Sequence, residues 1–194
     1  MYKRQGIYNV TLRVLDANNC TREVILPVLV RANPVARFTG GAVCLGTPKV
    51  FTHTSTAGMG ATIVRYEWNS DEGETSTEQS PTFTFDFPGS YNVTLRVTDN
   101  FGCSNITNRT VIARPLPSVN FNNSAACVGG SITFSDNSTS SGSFINRWQW
   151  DFGNGSRSTN RVANTVFTKD STYRVFVSVT DTFGCVATGF RDIR

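Results

Sequence analysis

The sequence predicts an all-β chain made of tandem antiparallel β-sandwiches, and three observations predict it. The first is a stretch that the chain carries three times. Gly89-Ser-Tyr91-Asn-Val93-Thr-Leu95-Arg-Val97-Thr-Asp99-Asn-Phe101-Gly102-Cys103 is echoed from Gly6 to Cys20 and again from Ser171 to Cys185, with Tyr8, Tyr91 and Tyr173 spaced 83 and 82 residues apart. Within it Tyr91, Val93, Leu95 and Val97 alternate with polar residues, the period-2 pattern of a strand with one face in a core and one in water. Asp99 to Gly102 reads as the turn that ends the strand. The second observation is the period itself, too long for a solenoid unit and suited to an array of small independent domains. The third is composition: 14 Phe and 16 Gly against 2 Met, many Thr, Ser, Asn and Val, and no helix-period stretch, as in an extracellular all-β chain.

Taken in order, residues 1–33 supply the repeated strand, a turn at Asp16 to Asn19 and a strand over Thr21 to Val30. They are the last part of a repeat whose beginning is missing, so the chain reads as an excerpt of a longer protein. Their stripe Tyr8, Val10, Leu12 and Val14 has no opposing sheet; the expected partner is the rest of an upstream repeat, the alternative a strand donated by another chain. Residues 34–116 form the next unit, with strands expected at Val35 to Phe38, Lys49 to His53, Ile63 to Asn69, Pro81 to Phe87, the repeated strand, and Ser104 to Ala113. Ser55 to Thr62 and Glu72 to Ser80 read as loops, and Arg114-Pro-Leu-Pro117 as a short, stiffened linker. Residues 117–194 retrace this unit at Val119 to Phe121, Ser131 to Phe134, Ile145 to Trp150, Thr165 to Phe167, Tyr173 to Thr180 and Cys185 to Ile193. About seven short strands in roughly 80 residues point to a two-sheet, immunoglobulin-like sandwich.

Domains this small gain from a covalent staple, and five cysteines follow the period. Cys44 and Cys127 lie 83 apart; Cys20, Cys103 and Cys185 lie 83 and 82 apart. Repeat symmetry selects Cys44–Cys103 and Cys127–Cys185 from the three pairings open to four cysteines, leaving Cys20 without a partner. Closing a loop of roughly 60 residues contributes about 4 kcal/mol on the chain-entropy estimate. The competing reading is reduced thiols in a cytosolic protein, but cysteines locked to the period near strand ends fit an oxidising compartment. The start, Met1 to Gly6, has no apolar core and is not a signal peptide, so an export signal is expected further upstream, or Met1 is an artificial start.

Trp150-Asp151-Phe152-Gly153-Asn154-Gly155, followed by Tyr173-x-Val175-x-Val177-x-Val179-x-Asp181, resembles the signature of the PKD domains, β-sandwich modules first named from polycystin. Residues 117–194 keep the pattern well. Residues 34–116 keep Trp68, Gly73 and the repeated strand but lose the Phe-Gly, having Trp68-Asn69-Ser70-Asp71-Glu72-Gly73 instead. The cysteines and the Asp-x-Phe-Gly-Cys ending are similar to PKD-like repeats of large secreted surface proteins in gliding and other Bacteroidetes. That similarity implies a cell-surface or secreted protein, with adhesion, gliding motility and type IX secretion as its setting.

Candidates for chemistry give little. Trp68 and Trp150 share the inward phase of their strands with Tyr66 and Trp148 and are expected in the core, as are Tyr91 and Tyr173 at the head of the repeated strand. Sugar stacking would need one of the tryptophans at the surface, with Trp148 the better candidate. Glu67, Asp71, Glu72, Glu74 and Glu78 cluster in sequence, yet the third unit has Gln149, Gly153, Asn154 and Ser156 in the corresponding region, so a solvated loop is expected rather than a calcium or glycosidase site. His53 has no partner at motif spacing. Eight Asn-x-Ser/Thr sequons, at Asn9, Asn19, Asn92, Asn105, Asn108, Asn122, Asn137 and Asn154, mark polar strand surface, and Asp170-Ser171-Thr172 resembles a short bacterial O-glycosylation acceptor.

The net charge of +4 is small and scattered, which gives no support to nucleic-acid binding, and no run is apolar enough to span a membrane. The expected function is a non-catalytic extracellular spacer and interaction segment, without cofactor or metal, whose partners are neighbouring repeats and also other cell-surface proteins or polysaccharide. The alternative is a carbohydrate-binding accessory module of a secreted polysaccharide-degrading enzyme, distinguished by exposed aromatic rings.

Overall fold

The computed structural model describes residues 5–194, which hold sixteen β-strands and no α-helix. β1 (Gly6–Leu15) and β2 (Thr21–Val30) form an antiparallel hairpin with Gly6 opposite Val30 and Leu15 opposite Thr21. The expected apolar stripe is exposed, from 43% at Tyr8 to 62% at Leu12.

The middle repeat contains β3 (Val43–Cys44), β4 (Lys49–Val50), β5 (Ile63–Ser70), β6 (Thr75–Ser76), β7 (Thr82–Phe83), β8 (Gly89–Asp99) and β9 (Ser104–Arg114). Five of them make a sheet in the order β3-β9-β8-β5-β6, and β4 pairs with β7. β3 runs parallel to the end of β9, Val43 opposite Ala113 and Cys44 opposite Arg114. Val93, Leu95 and Val97 on β8 are fully buried while Arg96 between them is exposed. Each such valine or leucine contributes about 1.5–3 kcal/mol by leaving water, so a one-residue slip of register would forfeit the whole set at once.

The third repeat is a two-sheet sandwich. β10 (Phe121–Asn123), β11 (Ser131–Asp136) and β14 (Val162–Val166) form one sheet; β12 (Ile145–Asp151), β13 (Arg157–Ser158), β15 (Tyr173–Asp181) and β16 (Val186–Ile193) form the other. Ile132 and Phe134 from the first meet Trp150, Val175, Val177 and Val179 from the second in one buried cluster. β5 and β12 each carry a register irregularity at the same repeat position, Ile63/Arg65 and Ile145/Arg147.

The chain forms two compact units, one made of residues up to Gly41 with Pro48–Phe83 and Tyr91–Val111, the other of Ala42–Thr47, Thr84–Ser90 and Ile112–Arg194. The second therefore takes in two segments that the repeat numbering assigns to the middle repeat. Of the expected Lys49 to His53 strand only Lys49–Val50 forms, and two further strands differ from expectation. Val35 to Phe38 pairs only through isolated bridges, Val35 to Thr56 and Phe38 to His53. The physical reason is Ser55, whose hydroxyl accepts from the Arg37 amide at 2.9 Å and donates to the Arg37 carbonyl at 3.0 Å, taking the place of a ladder bond. Ser138 does the same to Asn120 one repeat later, at 3.1 and 3.2 Å. In the Pro81 to Phe87 stretch only Thr82–Phe83 pairs, and although Phe83 and Phe85 are buried, Phe87 is 72% exposed.

Candidate functional site: the aspartate turns and the repeat lock

The end of each repeated strand is built the same way from its sequence. The strand closes on an aspartate whose Oδ1 accepts two backbone N–H groups of the turn: Asn18 and Cys20 on Asp16, Phe101 and Cys103 on Asp99, Phe183 and Cys185 on Asp181, all at 2.8–3.0 Å. The fourth turn residue takes a positive φ, 82° at Gly102 and 86° at Gly184, while Asn19 takes 64° in the first copy. Glycine and asparagine are the residues that accept this region at low cost. The cysteine thus leaves each turn with its backbone fixed by a side-chain carboxyl acceptor.

Asp99 and Asp181 are 2% and 1% exposed. Asp181 Oδ2 accepts from Ser140 Oγ at 2.7 Å, whereas Asp99 Oδ2 is buried without a hydrogen bond. The difference lies at Gly58, the counterpart of Ser140: a Cβ there would stand 2.4 Å from the Ala32 carbonyl oxygen, so close approach of the Ala32 backbone excludes the serine that would satisfy Asp99.

The sulfur pairing corrects the expectation from repeat symmetry. Cys44 bonds Cys185, 141 residues away, with Cα atoms 5.4 Å apart, and Cys20, Cys103 and Cys127 are free thiols. Neither Cys44–Cys103 nor Cys127–Cys185 forms. The reason is local: Cys44 sits on β3 beside Arg114, with the Leu45 amide donating to the Arg114 carbonyl at 2.8 Å, and the Arg114 guanidinium lies 3.4 Å over the ring of Phe183, two residues before Cys185. The stack and the pairing bring Cys44 to the turn of the following repeat rather than to that of its own. Arg31 makes the same stack over Phe101, at 3.5 Å, one repeat earlier. Cation–π contacts of this kind contribute about 0.5–2 kcal/mol, the more so when shielded from water.

Trp68 and Trp150 are each 2% exposed, and their Nε1 groups donate at 2.9 Å to the carbonyls of Glu78 and Asn160. Tyr91 and Tyr173 sit at the margin of the core rather than inside it, both half-buried; Tyr173 stacks on Phe167 at 4.2 Å, and its hydroxyl donates to the Lys169 carbonyl. Trp148 is half-buried, with Nε1 donating to Asp136 Oδ2 at 2.8 Å. The acidic cluster does not converge. Glu67 pairs with Arg65 at 2.8 Å, and Asp71 accepts the Asn92 amide at 2.7 Å. Among the described residues no three His, Cys, Asp or Glu side chains gather to hold a metal. His53 packs on Tyr66 and meets Gln79 through Nε2. Asn154, one of the sequon residues, is taken up internally: its amide donates to Thr165 and Val166, and its Oδ1 accepts from Ser156.

Two further features belong to the third repeat, and the first of them was not visible as a candidate in the sequence. Phe176 and Phe190 form an exposed pair 5.7 Å apart on the outer face of the sheet. Arg174 lies over Phe190 at 4.5 Å and forks onto Asp192 at 2.8 and 2.9 Å. That hydrogen bond from Arg174 holds the Asp192 carboxyl below the usual carboxylate range. A depressed carboxylate stabilises above its ordinary range and stops doing so as acid protonates it, but both groups are solvated and the effect is small. The second feature is Gly153, at φ 71°, where a Cβ would stand 2.7 Å from the Arg174 carbonyl oxygen. Gly153→Ala is expected to lower stability by about 2–4 kcal/mol, combining left-handed backbone with a backbone clash; equilibrium urea unfolding of the variant measures it.

A two-sheet antiparallel sandwich, closed by an aspartate turn and repeated along the chain, defines an immunoglobulin-like module. The chain belongs to the PKD domain family: the family model for the PKD domain matches residues 31–114 and again 112–193. The PKD domain itself is non-catalytic. The chain is similar to the pre-pro-metalloprotease PrtV of Vibrio cholerae serotype O1, 32% identical over 160 residues, which is 80% of this chain and 17% of that protein's length. Among solved structures it is similar to the PKD1 domain of Vibrio cholerae metalloprotease PrtV, at 32% identity and a TM-score of 0.37, covering 40% of this chain and 94% of that one. It is also similar to the PKD1 domain of Vibrio anguillarum Epp, at 28% identity and a TM-score of 0.39, covering 41% and 93%.

Proposed function

We propose that this chain is a spacer and interaction segment of a larger secreted or cell-surface protein, holding its neighbours apart and resisting extension. The observation that carries the reading is the Cys44–Cys185 bond, which with the Arg114–Phe183 stack ties the middle sequence repeat to the third. A disulfide persists in oxidising compartments, and the similarity to a pre-pro-metalloprotease fits a PKD segment carried by an exported protein. Partners on this reading are neighbouring repeats and other surface proteins.

Mechanical pulling tests it. Stretched from its two ends under oxidising conditions, the chain is expected to withhold from extension the span from Cys44 to Cys185, a sequence separation of 141. At 3.3–3.6 Å per residue the reduced chain should lengthen by about 480 Å more than the oxidised one. Equal final lengths with and without reductant would count against a covalently braced spacer.

The second reading, a carbohydrate-binding accessory module, is favoured by the Phe176–Phe190 pair, whose counterparts one repeat earlier are Thr94 and Asn108. Retention on insoluble polysaccharide that is lost in Phe190→Ala would favour it; no retention favours the spacer.

A further inference from the structure

We propose that the bond between Cys44 and Cys185 is one rung of a staggered series, in which the early cysteine of each repeat bonds the turn cysteine of the repeat that follows. Cys103 and Cys127 are then the open halves of the two flanking rungs. Cys103 takes the early cysteine of a preceding PKD repeat, and Cys127 takes the turn cysteine of a following one.

Three observations carry this. The formed bond joins one cysteine of each class across 141 residues, so a shift by one period, 83 residues for Cys44 and 82 for Cys185, maps it onto Cys127 and onto Cys103. Second, the turn that carries Cys103 is built as the turn that carries Cys185. Cys103 leaves a turn held by Asp99 as Cys185 leaves one held by Asp181, and Arg31 lies over Phe101 at 3.5 Å as Arg114 lies over Phe183 at 3.4 Å. The stack that accompanies the formed bond is therefore present beside Cys103 as well. Third, the loop carrying Cys127 is anchored as the loop carrying Cys44 is: the Gly129 amide donates to the Phe167 carbonyl at 2.8 Å, and the Gly46 amide to the Phe85 carbonyl at 3.0 Å. Cys127 is exposed, free to meet a partner.

Each rung forms by thiol–disulfide exchange. The thiolate of Cys127 attacks a disulfide oxidant, one thiol leaves, and the thiolate of the partner cysteine displaces the second. Two protons and two electrons pass from the two cysteines, and the oxidant is reduced to two thiols.

The test extends the full chain in register. A copy of residues 113–194 is fused after Arg194, so that Ala113 and Arg114 of the copy continue the last strand, and the purified protein is equilibrated with oxidised glutathione and mapped without reduction. The expected result is Cys127 bonded to Cys185 of the added copy, with the original Cys44–Cys185 bond retained. A mirror chain, with a copy of residues 34–113 fused ahead of Arg31 in place of residues 1–30, should bond the Cys44 of that copy to Cys103. Cys127 left alkylatable in the first chain, the original Cys103 left alkylatable in the mirror chain, or either of them bonded to any other cysteine, overturns the proposal. The map reads connectivity and the pulling experiment reads length, so failure of the staggered series is distinguishable from failure of the spacer reading.

Discussion

Trp150→Ala is expected to destabilise the second compact unit by about 3–5 kcal/mol, the range for emptying a large aromatic side chain from a core. The ring is 2% exposed and meets Phe121 edge-on at 5.2 Å, Phe134 at 5.9 Å and Phe152 at 6.0 Å. It bridges both sheets, so no single neighbour can swing in to fill the space. Its Nε1–H also satisfies the Asn160 carbonyl at 2.9 Å, which the alanine variant leaves without that donor. Urea unfolding followed by near-ultraviolet circular dichroism measures the loss. The companion variant Arg96→Ala should cost about 0.5 kcal/mol or less, because its side chain is 55% exposed and its nearest carboxylate is 3.9 Å away. A Trp150→Ala loss no larger than that of Arg96→Ala would remove the ring from the core.

Cys44→Ser is expected to produce the other large effect. On the chain-entropy estimate, a cross-link between residues 141 apart contributes about 5 kcal/mol. Cys44 is the better site to change than Cys185, which is fully buried and would leave a serine hydroxyl in an apolar setting. Cys103→Ser and Cys127→Ser remove free thiols and should leave stability within about 0.5 kcal/mol. Thermal unfolding of the three variants, with and without reductant, separates them: only Cys44→Ser should resemble the reduced parent. A loss in Cys103→Ser matching that in Cys44→Ser would instead favour a bond within the middle repeat.

The strands that alternate were legible in the sequence because the physics that makes them is local. Val93, Leu95 and Val97 announce a buried face, and the structure buries it; the aspartate turns announce themselves through Asp99 and Gly102 in the same way. The bridges at Val35 and Phe38 were not legible, because a serine hydroxyl 18 residues away replaces a ladder bond there, and no periodicity encodes that. The disulfide was half legible. Translational symmetry says that each bond takes one cysteine of the Cys44 class and one of the Cys103 class, but it is satisfied equally by a bond within a repeat and by a bond to the next. What decides between them is the parallel pairing of Val43–Cys44 with Ala113–Arg114 and the reach of Arg114 to Phe183. The one trace of this in the sequence is that Arg31 and Arg114 each stand 11 residues after a turn cysteine, while Phe101 and Phe183 each stand two residues before one.

Proteolysis of the unreduced, alkylated chain followed by mass spectrometry tests the repeat-to-repeat lock most directly. The expected map contains one cross-linked peptide, joining Cys44 to Cys185, with Cys20, Cys103 and Cys127 carrying the alkyl label; a map with Cys44 joined to Cys103 and Cys127 joined to Cys185 would contradict it.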